Sequence, residues 1–109
     1  MAATVLVIDD DPSVRDSIAN FLVDYDYQVL TVACADEAWG VLAEYEVDAA
    51  ICDLRMPGTS GIEWLEQVKT RVPDLPVIVV SGAGVMDDVV RALRLGADDF
   101  LVKPILDLE

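Results

Sequence analysis

The sequence predicts an α/β domain built on a parallel β-sheet, and three observations lead to this prediction. Five short apolar runs recur along the 109 residues, and segments with a helical spacing of apolar side chains separate them. The chain is 54% hydrophobic, which is enough to form a sizeable core. Because strands alternate with helices, the order β-α-β-α-β-α-β-α-β favours one doubly wound domain with right-handed crossovers.

The five predicted strands are short runs of aliphatic and β-branched residues. Most of them are apolar on both faces, which is typical of strands that are covered by helices on both sides. The predicted strands are Val5–Ile8, Val29–Val32, Ala49–Cys52, Val77–Val80 and Phe100–Val102.

Four helices are predicted from apolar residues that recur on one face. Asp11 is placed to cap the first helix, with Pro12 at the first helical position, and Gly96 ends the fourth helix. The predicted core positions are Val14, Ile18, Phe21 and Leu22 in the first helix, Ala35, Ala38, Leu42 and Tyr45 in the second, Ile62, Leu65, Val68 and Val72 in the third, and Val89, Val90 and Leu93 in the fourth.

The residues after the fifth strand resemble the first turn of a fifth helix. The run from Lys103 to Glu109 is too short to complete that helix, so we expect the fifth helix to be missing or truncated. We therefore expect residues 1–109 to be an N-terminal fragment of a longer protein. A sheet face that lacks its helix would expose apolar surface, which favours self-association.

The charge balance excludes several classes of partner. The chain has 7 Lys and Arg against 21 Asp and Glu, a formal net charge of -14. Such a surface repels nucleic-acid phosphates and anionic membranes. No apolar run approaches the roughly 20 residues of a membrane span, and the start has no basic signal-peptide region. The sequence therefore predicts a cytoplasmic domain that does not bind nucleic acid or membranes directly.

Three acids follow predicted strands at positions where ligands commonly bind. Asp9 and Asp10 follow the first strand, and Asp53 follows the third. Ligands of doubly wound sheets bind beyond the carboxyl ends of the strands. If these two strands are neighbours, the close carboxylates raise each other's pKa or recruit a cation. An all-oxygen site of this kind suits Mg²⁺.

Two further polar residues end strands at the same edge of the predicted sheet. Ser81 follows the fourth strand, and Lys103 follows the fifth. A nucleophilic aspartate, a metal ion and a cation are the groups needed for phosphoryl transfer onto a carboxylate. Each residue alone is more simply explained as a loop acid, a loop hydroxyl or a surface lysine. Their coincidence at the ends of four strands favours one functional site.

These residues resemble the motifs of the receiver domain of two-component response regulators. The matching stretches are Asp9-Asp10, Asp53-Leu-Arg-Met-Pro-Gly-Thr-Ser-Gly61, Ser81-Gly-Ala and Phe100-Leu-Val-Lys-Pro104. The resemblance covers essentially the whole chain and implies a CheY-like, flavodoxin-like fold with five strands in the order 2-1-3-4-5. The C-terminal stretch from Ala92 is also similar to receivers of the RssB type.

The resemblance implies a metal set and a phospho-acceptor. Asp53 would accept the phosphoryl group. Asp10, Asp53 and the backbone carbonyl of Arg55 would bind Mg²⁺ directly, and Asp9 would bind it through water.

The resemblance also implies a group of residues that respond to the phosphoryl group. Ser81 and Lys103 would contact it, and the side chain of Phe100 would follow the movement of Ser81. Such a domain is a switch rather than an enzyme, because it catalyses only its own phosphorylation and dephosphorylation.

The implied partners follow from the missing histidine. The chain has none, so a phosphohistidine donor must lie on another protein, a sensor histidine kinase or a phosphotransfer protein. The resemblance implies that the switch controls a partner output or an output domain C-terminal to residue 109.

Three other classes of protein share parts of this pattern. A hydrolase of the haloacid dehalogenase type uses an Asp-x-Asp stretch like Asp9-x-Asp11, with phosphate on the first Asp, although Pro12-Ser13 does not fit that motif. A flavodoxin-like electron carrier would need a hydroxyl-rich and glycine-rich loop where this chain has three acids. A receiver-like module that only binds partners remains open.

Overall fold

The computed structural model describes residues 2–56, 58–82 and 86–103, and it confirms the predicted α/β fold. The five strands form one sheet in the order β2-β1-β3-β4-β5, and every pair is parallel. The strands are β1 (Thr4–Ile8), β2 (Gln28–Val32), β3 (Ala49–Asp53), β4 (Val77–Ser81) and β5 (Asp99–Val102). The helices are α1 (Pro12–Asp24), α2 (Ala35–Glu44), α3 (Gly61–Arg71) and α4 (Met86–Arg94).

The strand register aligns the carboxyl ends of the four strands that carry the predicted site. Ile8 lies opposite Cys52, Asp53 lies opposite Val80, and Ser81 lies opposite Val102. β3 and β4 each extend one residue beyond the prediction, so that Asp53 and Ser81 are their last residues. The polar residues therefore lie side by side along the edge of the sheet that is formed by the carboxyl ends of its strands.

Within the described residues, helices cover the two faces of the sheet unequally. The larger buried cluster joins one face to α2, α3 and α4, and includes Leu6, Trp64 and Ala92. The smaller cluster joins the other face to α1, with Val7 and Ile18 buried between them. The predicted position of the fifth helix falls on residues 104–109, which lie outside the described residues.

The predicted start of α1 is confirmed. Asp11 is the N-cap, and its carboxylate accepts a hydrogen bond from the backbone N–H of Ser13 at 2.9 Å. Pro12 is the first helical residue. Its missing N–H is harmless there, because the first N–H groups of a helix have no partner within the helix.

Four predicted core positions are wrong. Tyr45 and Val72 are the C-caps of their helices, and the Tyr45 side chain is 53% exposed. Val90 and Leu93 are each 40% exposed, because α4 buries Val89, as predicted, together with Ala92. Val89 and Ala92 are three residues apart, and so are Val90 and Leu93. The spacing alone therefore does not distinguish the buried stripe of α4 from the exposed one.

A lysine in α3 ties together the end of the sheet opposite the predicted site. The Lys69 ammonium donates to the carbonyl of Leu75 at 2.7 Å and to the carboxylate of Asp98 at 3.1 Å. The same Asp98 oxygen accepts the backbone N–H of Val77 at 2.8 Å. The hydrogen bond from Val77 lowers the pKa of Asp98, and Lys69 lowers it further.

We expect Asp98→Asn to lower the free energy of unfolding by about 1 kcal/mol at pH 7, because two donors lose a charged acceptor that is partly screened by solvent. The folded-state pKa of Asp98 lies below its ordinary value of 3.8. The carboxylate therefore stabilises the fold fully above that value, and this contribution is lost as the pH falls through the folded-state pKa. Urea denaturation of both proteins should show the difference narrowing between pH 7 and pH 3. A difference that stays constant with pH would contradict this role.

Candidate functional site

The structure brings the three predicted acids together at the carboxyl edge of the sheet. Asp9 follows β1 and Asp53 ends β3, which are adjacent strands. One carboxylate oxygen from each of Asp9, Asp10 and Asp53 lies within 4.8 Å of the other two. Asp9 and Asp53 are 1% and 3% exposed, whereas Asp10 is exposed. The cluster is thus a partly buried group of oxygen donors that opens to solvent at Asp10.

Asp9 has an oxygen that lacks a hydrogen-bond donor. Its Oδ1 accepts the backbone N–H of Asp11 at 2.9 Å, but its Oδ2 has no hydrogen-bond partner among the described residues. Burial raises the pKa of Asp9 to about 6; the hydrogen bond from Asp11 opposes the increase, and the charge of Asp53 adds to it. A buried carboxylate oxygen without a donor, beside two other carboxylates, fits a divalent cation.

Among the described residues, Asp53 accepts hydrogen bonds from one main-chain donor and one ammonium group. Its Oδ1 accepts the backbone N–H of Arg55 at 3.0 Å, and its Oδ2 accepts the Lys103 Nζ at 2.9 Å. Lys103 also lies 3.7 Å from Asp9 Oδ2. Burial lowers the pKa of Lys103, but its hydrogen bond to Asp53 and the surrounding negative charges outweigh this, so the pKa is raised overall. Lys103 therefore stays protonated beside Asp53.

The end of β4 places a hydroxyl at the same edge. Ser81 is 2% exposed, and its carbonyl accepts the backbone N–H of Lys103 at 2.7 Å. Among the described residues, its hydroxyl makes only a long contact, 3.4 Å, with the carbonyl of Gly82. Within that part of the chain, the backbone of Ser81 is therefore fixed, while its hydroxyl is held weakly.

Phe100 lies inside β5 and not at the carboxyl end of the strand, where the other site residues lie. It pairs with Val79 in the register and is half-buried against the larger core cluster. Its predicted role in switching stays a prediction.

Gly61 allows α3 to begin directly against the end of β3. Its backbone N–H donates to the carbonyl of Leu54 at 3.1 Å. A Cβ at this position would overlap the carbonyl oxygen of Asp53 and come within 2.6 Å of Leu54 Cα. A larger residue would therefore displace the backbone that carries Asp53. The motif contained this glycine, but the sequence alone did not reveal why it is needed.

Two arginine contacts at the site were not predicted. The Arg15 guanidinium donates to the carbonyl of Asp9 at 3.2 Å. The Arg55 guanidinium pairs with Asp88 of α4 at 3.0 Å. Arg15 left a signal in the sequence, because a cation in the first turns of a helix opposes the helix dipole and so suggests a local partner. The partner of Arg55 depends on how α4 packs, and no spacing rule gives it.

Residues 5–109 match the sequence profile of the response regulator receiver domain. The chain belongs to this family. The receiver domain is 38% identical over 104 residues to the response regulator protein FleR of Pseudomonas aeruginosa, covering 95% of this chain and 22% of FleR. It is 39% identical over 103 residues to the hydrogenase transcriptional regulatory protein HoxA of Cupriavidus necator, covering 94% of this chain and 21% of HoxA.

A solved structure supports the same conclusion for the fold. The crystal structure of a response regulator receiver domain protein from Clostridium thermocellum aligns with a TM-score of 0.87 and 32% identity, covering 94% of this chain and 83% of that one. The receiver domain spans about a fifth of the length of FleR and HoxA.

Within the described residues, none of the helices is both long and apolar enough to cross a membrane.

Family membership establishes the general function of the chain. It is a receiver domain of two-component signal transduction, a phospho-acceptor switch of response regulators. Receiver domains generally bind Mg²⁺ in an acidic pocket, and the cluster of Asp9, Asp10 and Asp53 provides suitable donors. The similarity to the RssB type stays a prediction.

Proposed function

We propose that Asp53 accepts a phosphoryl group from a phosphohistidine on a sensor kinase or phosphotransfer protein. The reaction requires Mg²⁺, and the phosphorylated domain changes conformation to control an attached or partner output. The observation that carries this proposal is the environment of Asp53. Its buried carboxylate is hydrogen-bonded to Lys103 and lies within 4.8 Å of two other carboxylates. A nucleophilic carboxylate beside a cation and a set of metal donors suits phosphoryl transfer.

The proposed metal ligands are the carboxylates of Asp10 and Asp53 and the backbone carbonyl of Arg55, with Asp9 bound through water. The Oδ2 atom of Asp9 supports this set, because among the described residues it accepts no hydrogen bond and the Lys103 ammonium lies 3.7 Å away, so a metal-bound water would supply the missing donor. When bound, Mg²⁺ would neutralise negative charge on the transferring phosphoryl group.

In the proposed reaction, a carboxylate oxygen of Asp53 forms a bond to phosphorus. The bond between phosphorus and the donor imidazole nitrogen breaks, and its electron pair stays on that nitrogen. Lys103 offsets the negative charge brought next to Asp53, and the weakly held hydroxyl of Ser81 turns to donate to a phosphoryl oxygen. The product is a mixed anhydride that hydrolyses readily, which suits a transient signal.

The proposed switch is a two-state equilibrium that the phosphoryl group biases. The new hydrogen bond from Ser81 favours the active state. Phe100 lies on the neighbouring strand and moves with Ser81.

Labelling by acetyl phosphate tests this function. We expect the chain to be phosphorylated in the presence of Mg²⁺ and to remain unlabelled when EDTA removes the metal.

Asp10→Ala should weaken Mg²⁺ binding, measured by calorimetric titration, by at least about tenfold, since even the outer-shell partners of metal ligands contribute that much.

The matched control for Asp10→Ala is Asp16→Ala. It removes an exposed carboxylate from α1 and lowers the net negative charge equally. Equal weakening of Mg²⁺ binding by both variants would indicate a general charge effect and would count against Asp10 as a ligand. Labelling that persists in EDTA would contradict the proposed role of the metal.

A further inference from the structure

The two ends of α4 are held by different kinds of contact. Beyond its C-terminal end, Asp98 accepts hydrogen bonds from Lys69 and from the backbone of Val77, which ties that end to α3 and β4. At its N-terminal end, Asp88 pairs with Arg55, and the Arg55 side chain is 70% exposed. Across residues 2–56, 58–82 and 86–103, this is the only ion pair between the loop after β3 and α4.

The N-terminal half of α4 is separated from the loop after β3 by a groove. The groove has a volume of about 570 Å³ and is lined by Leu54, Met56 and Ile62 on one side and by Asp88 and Arg91 on α4. Val89 anchors this half of α4 in the core, but among the described residues the side of the helix that faces the groove is unpacked, so little packing resists a movement on that side. The Arg55–Asp88 ion pair spans the groove as a strap.

Arg55 also contacts the proposed phospho-acceptor. Its backbone N–H donates to Asp53 Oδ1 at 3.0 Å, while its guanidinium pairs with Asp88 Oδ2 at 3.0 Å. One residue therefore joins the acceptor carboxylate to the N-terminal end of α4.

We propose that the Arg55–Asp88 strap holds the N-terminal end of α4 in the unphosphorylated state and opens when Asp53 carries a phosphoryl group. This inference rests on the proposed function of Asp53. Opening frees the N-terminal end of α4 to move, while the contacts of Lys69 and Asp98 hold its other end.

The driving force is competition for the guanidinium of Arg55. A phosphoryl group on a side chain carries roughly -1.5 to -2 charges at pH 7 and offers three acceptor oxygens. Even with a divalent cation bound, that group together with Asp9 and Asp10 carries more negative charge than the cation and Lys103 offset. A guanidinium binds such an oxyanion through two parallel hydrogen bonds, whereas Asp88 provides one partly exposed contact.

The test compares Asp88→Asn with Asp87→Asn in the full chain. Asp87 is an exposed acid in the same first turn of α4, and it forms none of the ion pairs found in the described part of the chain. Both variants remove one negative charge, but only Asp88→Asn breaks the strap. The probe is beryllofluoride in saturating Mg²⁺, and its dissociation constant is measured by fluorine NMR.

We expect Asp88→Asn to bind beryllofluoride about two- to fivefold more tightly, because an exposed ion pair contributes only modestly. Asp87→Asn should bind it as the parent chain does. In an Arg55→Ala background, Asp88→Asn should have no further effect, since the strap is already absent.

Three results would overturn the strap alone: equal tightening in both variants, no tightening in Asp88→Asn, or tightening that persists in the Arg55→Ala background. Failure of the parent chain to bind beryllofluoride with Mg²⁺ would instead contradict the proposed function of Asp53, and the strap with it. Unfolding midpoints near that of the parent chain would show that each variant is folded.

Discussion

Replacing Asp53 with asparagine is expected to abolish labelling of the chain by acetyl phosphate. Asparagine has nearly the same shape, and its amide oxygen can still accept the backbone N–H of Arg55. It lacks the ionised carboxylate that attacks phosphorus, so no acyl phosphate can form. We expect labelling of Asp53→Asn, followed by intact-protein mass spectrometry, to fall to the level of a sample without acetyl phosphate.

The control for this prediction is Asp74→Asn, which neutralises an exposed acid just before β4, at the opposite edge of the sheet. It should label as the parent chain does. The fold of Asp53→Asn should persist, because neutralising Asp53 removes its repulsion of the buried Asp9 carboxylate. Labelling of Asp53→Asn at the level of the parent chain would show that the acceptor is elsewhere.

Gly61→Ala is expected to lower the free energy of unfolding by about 3 kcal/mol, at the upper end of the usual cost of overpacking. The added Cβ would overlap the carbonyl oxygen of Asp53, and main-chain atoms cannot move aside as a flexible side chain does. Helix α3 would have to shift away from β3 and weaken its hydrogen bond to Leu54. Urea denaturation measures the loss, and labelling by acetyl phosphate should fall as Asp53 moves.

Gly40→Ala provides the matched control for Gly61→Ala. Gly40 lies within α2, and a Cβ at this position would meet no heavy atom within 4 Å among the described residues, apart from its chain neighbours and the backbone of its own helix. Alanine is favoured over glycine in a helix interior by about 1 kcal/mol, so this variant should be more stable than the parent chain. The close-approach explanation would be wrong if Gly61→Ala were also as stable as the parent chain.

Most of the fold could be predicted because the elements have strong local signals. The buried strands are continuous apolar runs, and α1 begins with the cap-and-proline pair of Asp11 and Pro12. The strand order was implied by the family motifs and not by the apolar pattern. Val89 was correctly assigned to the core of α4, but Val90 and Leu93 were wrongly preferred over Ala92, whose small side chain is fully buried in the larger core cluster.

Trp64 shows a second limit of the pattern. It is fully buried in α3 and packs against Trp39 of α2 with ring centroids 5.9 Å apart. The predicted stripe of α3 described the face toward the sheet and omitted the side toward α2. A contact between two helices depends on how the helices pack against each other, and the apolar spacing within a single helix gives no information about that packing.

The candidate site, like the fold, could be predicted only in part from the sequence. Asp9, Asp53 and Ser81 could be placed from sequence because parallel strands end at a common edge, and the register then aligned them. The contact between Arg55 and Asp88 joins residues 33 positions apart through two flexible side chains. Such contacts follow from tertiary packing, so they became visible only in the structure.

Locating the phosphorylated residue of the parent chain tests the proposed function of Asp53 most directly. The chain is treated with acetyl phosphate and Mg²⁺, digested, and analysed by peptide fragmentation in a mass spectrometer. We predict that the phosphoryl group is on Asp53 and on no other residue. A phosphoryl group on Asp9, the nucleophile that a dehalogenase-type hydrolase would use, would contradict it.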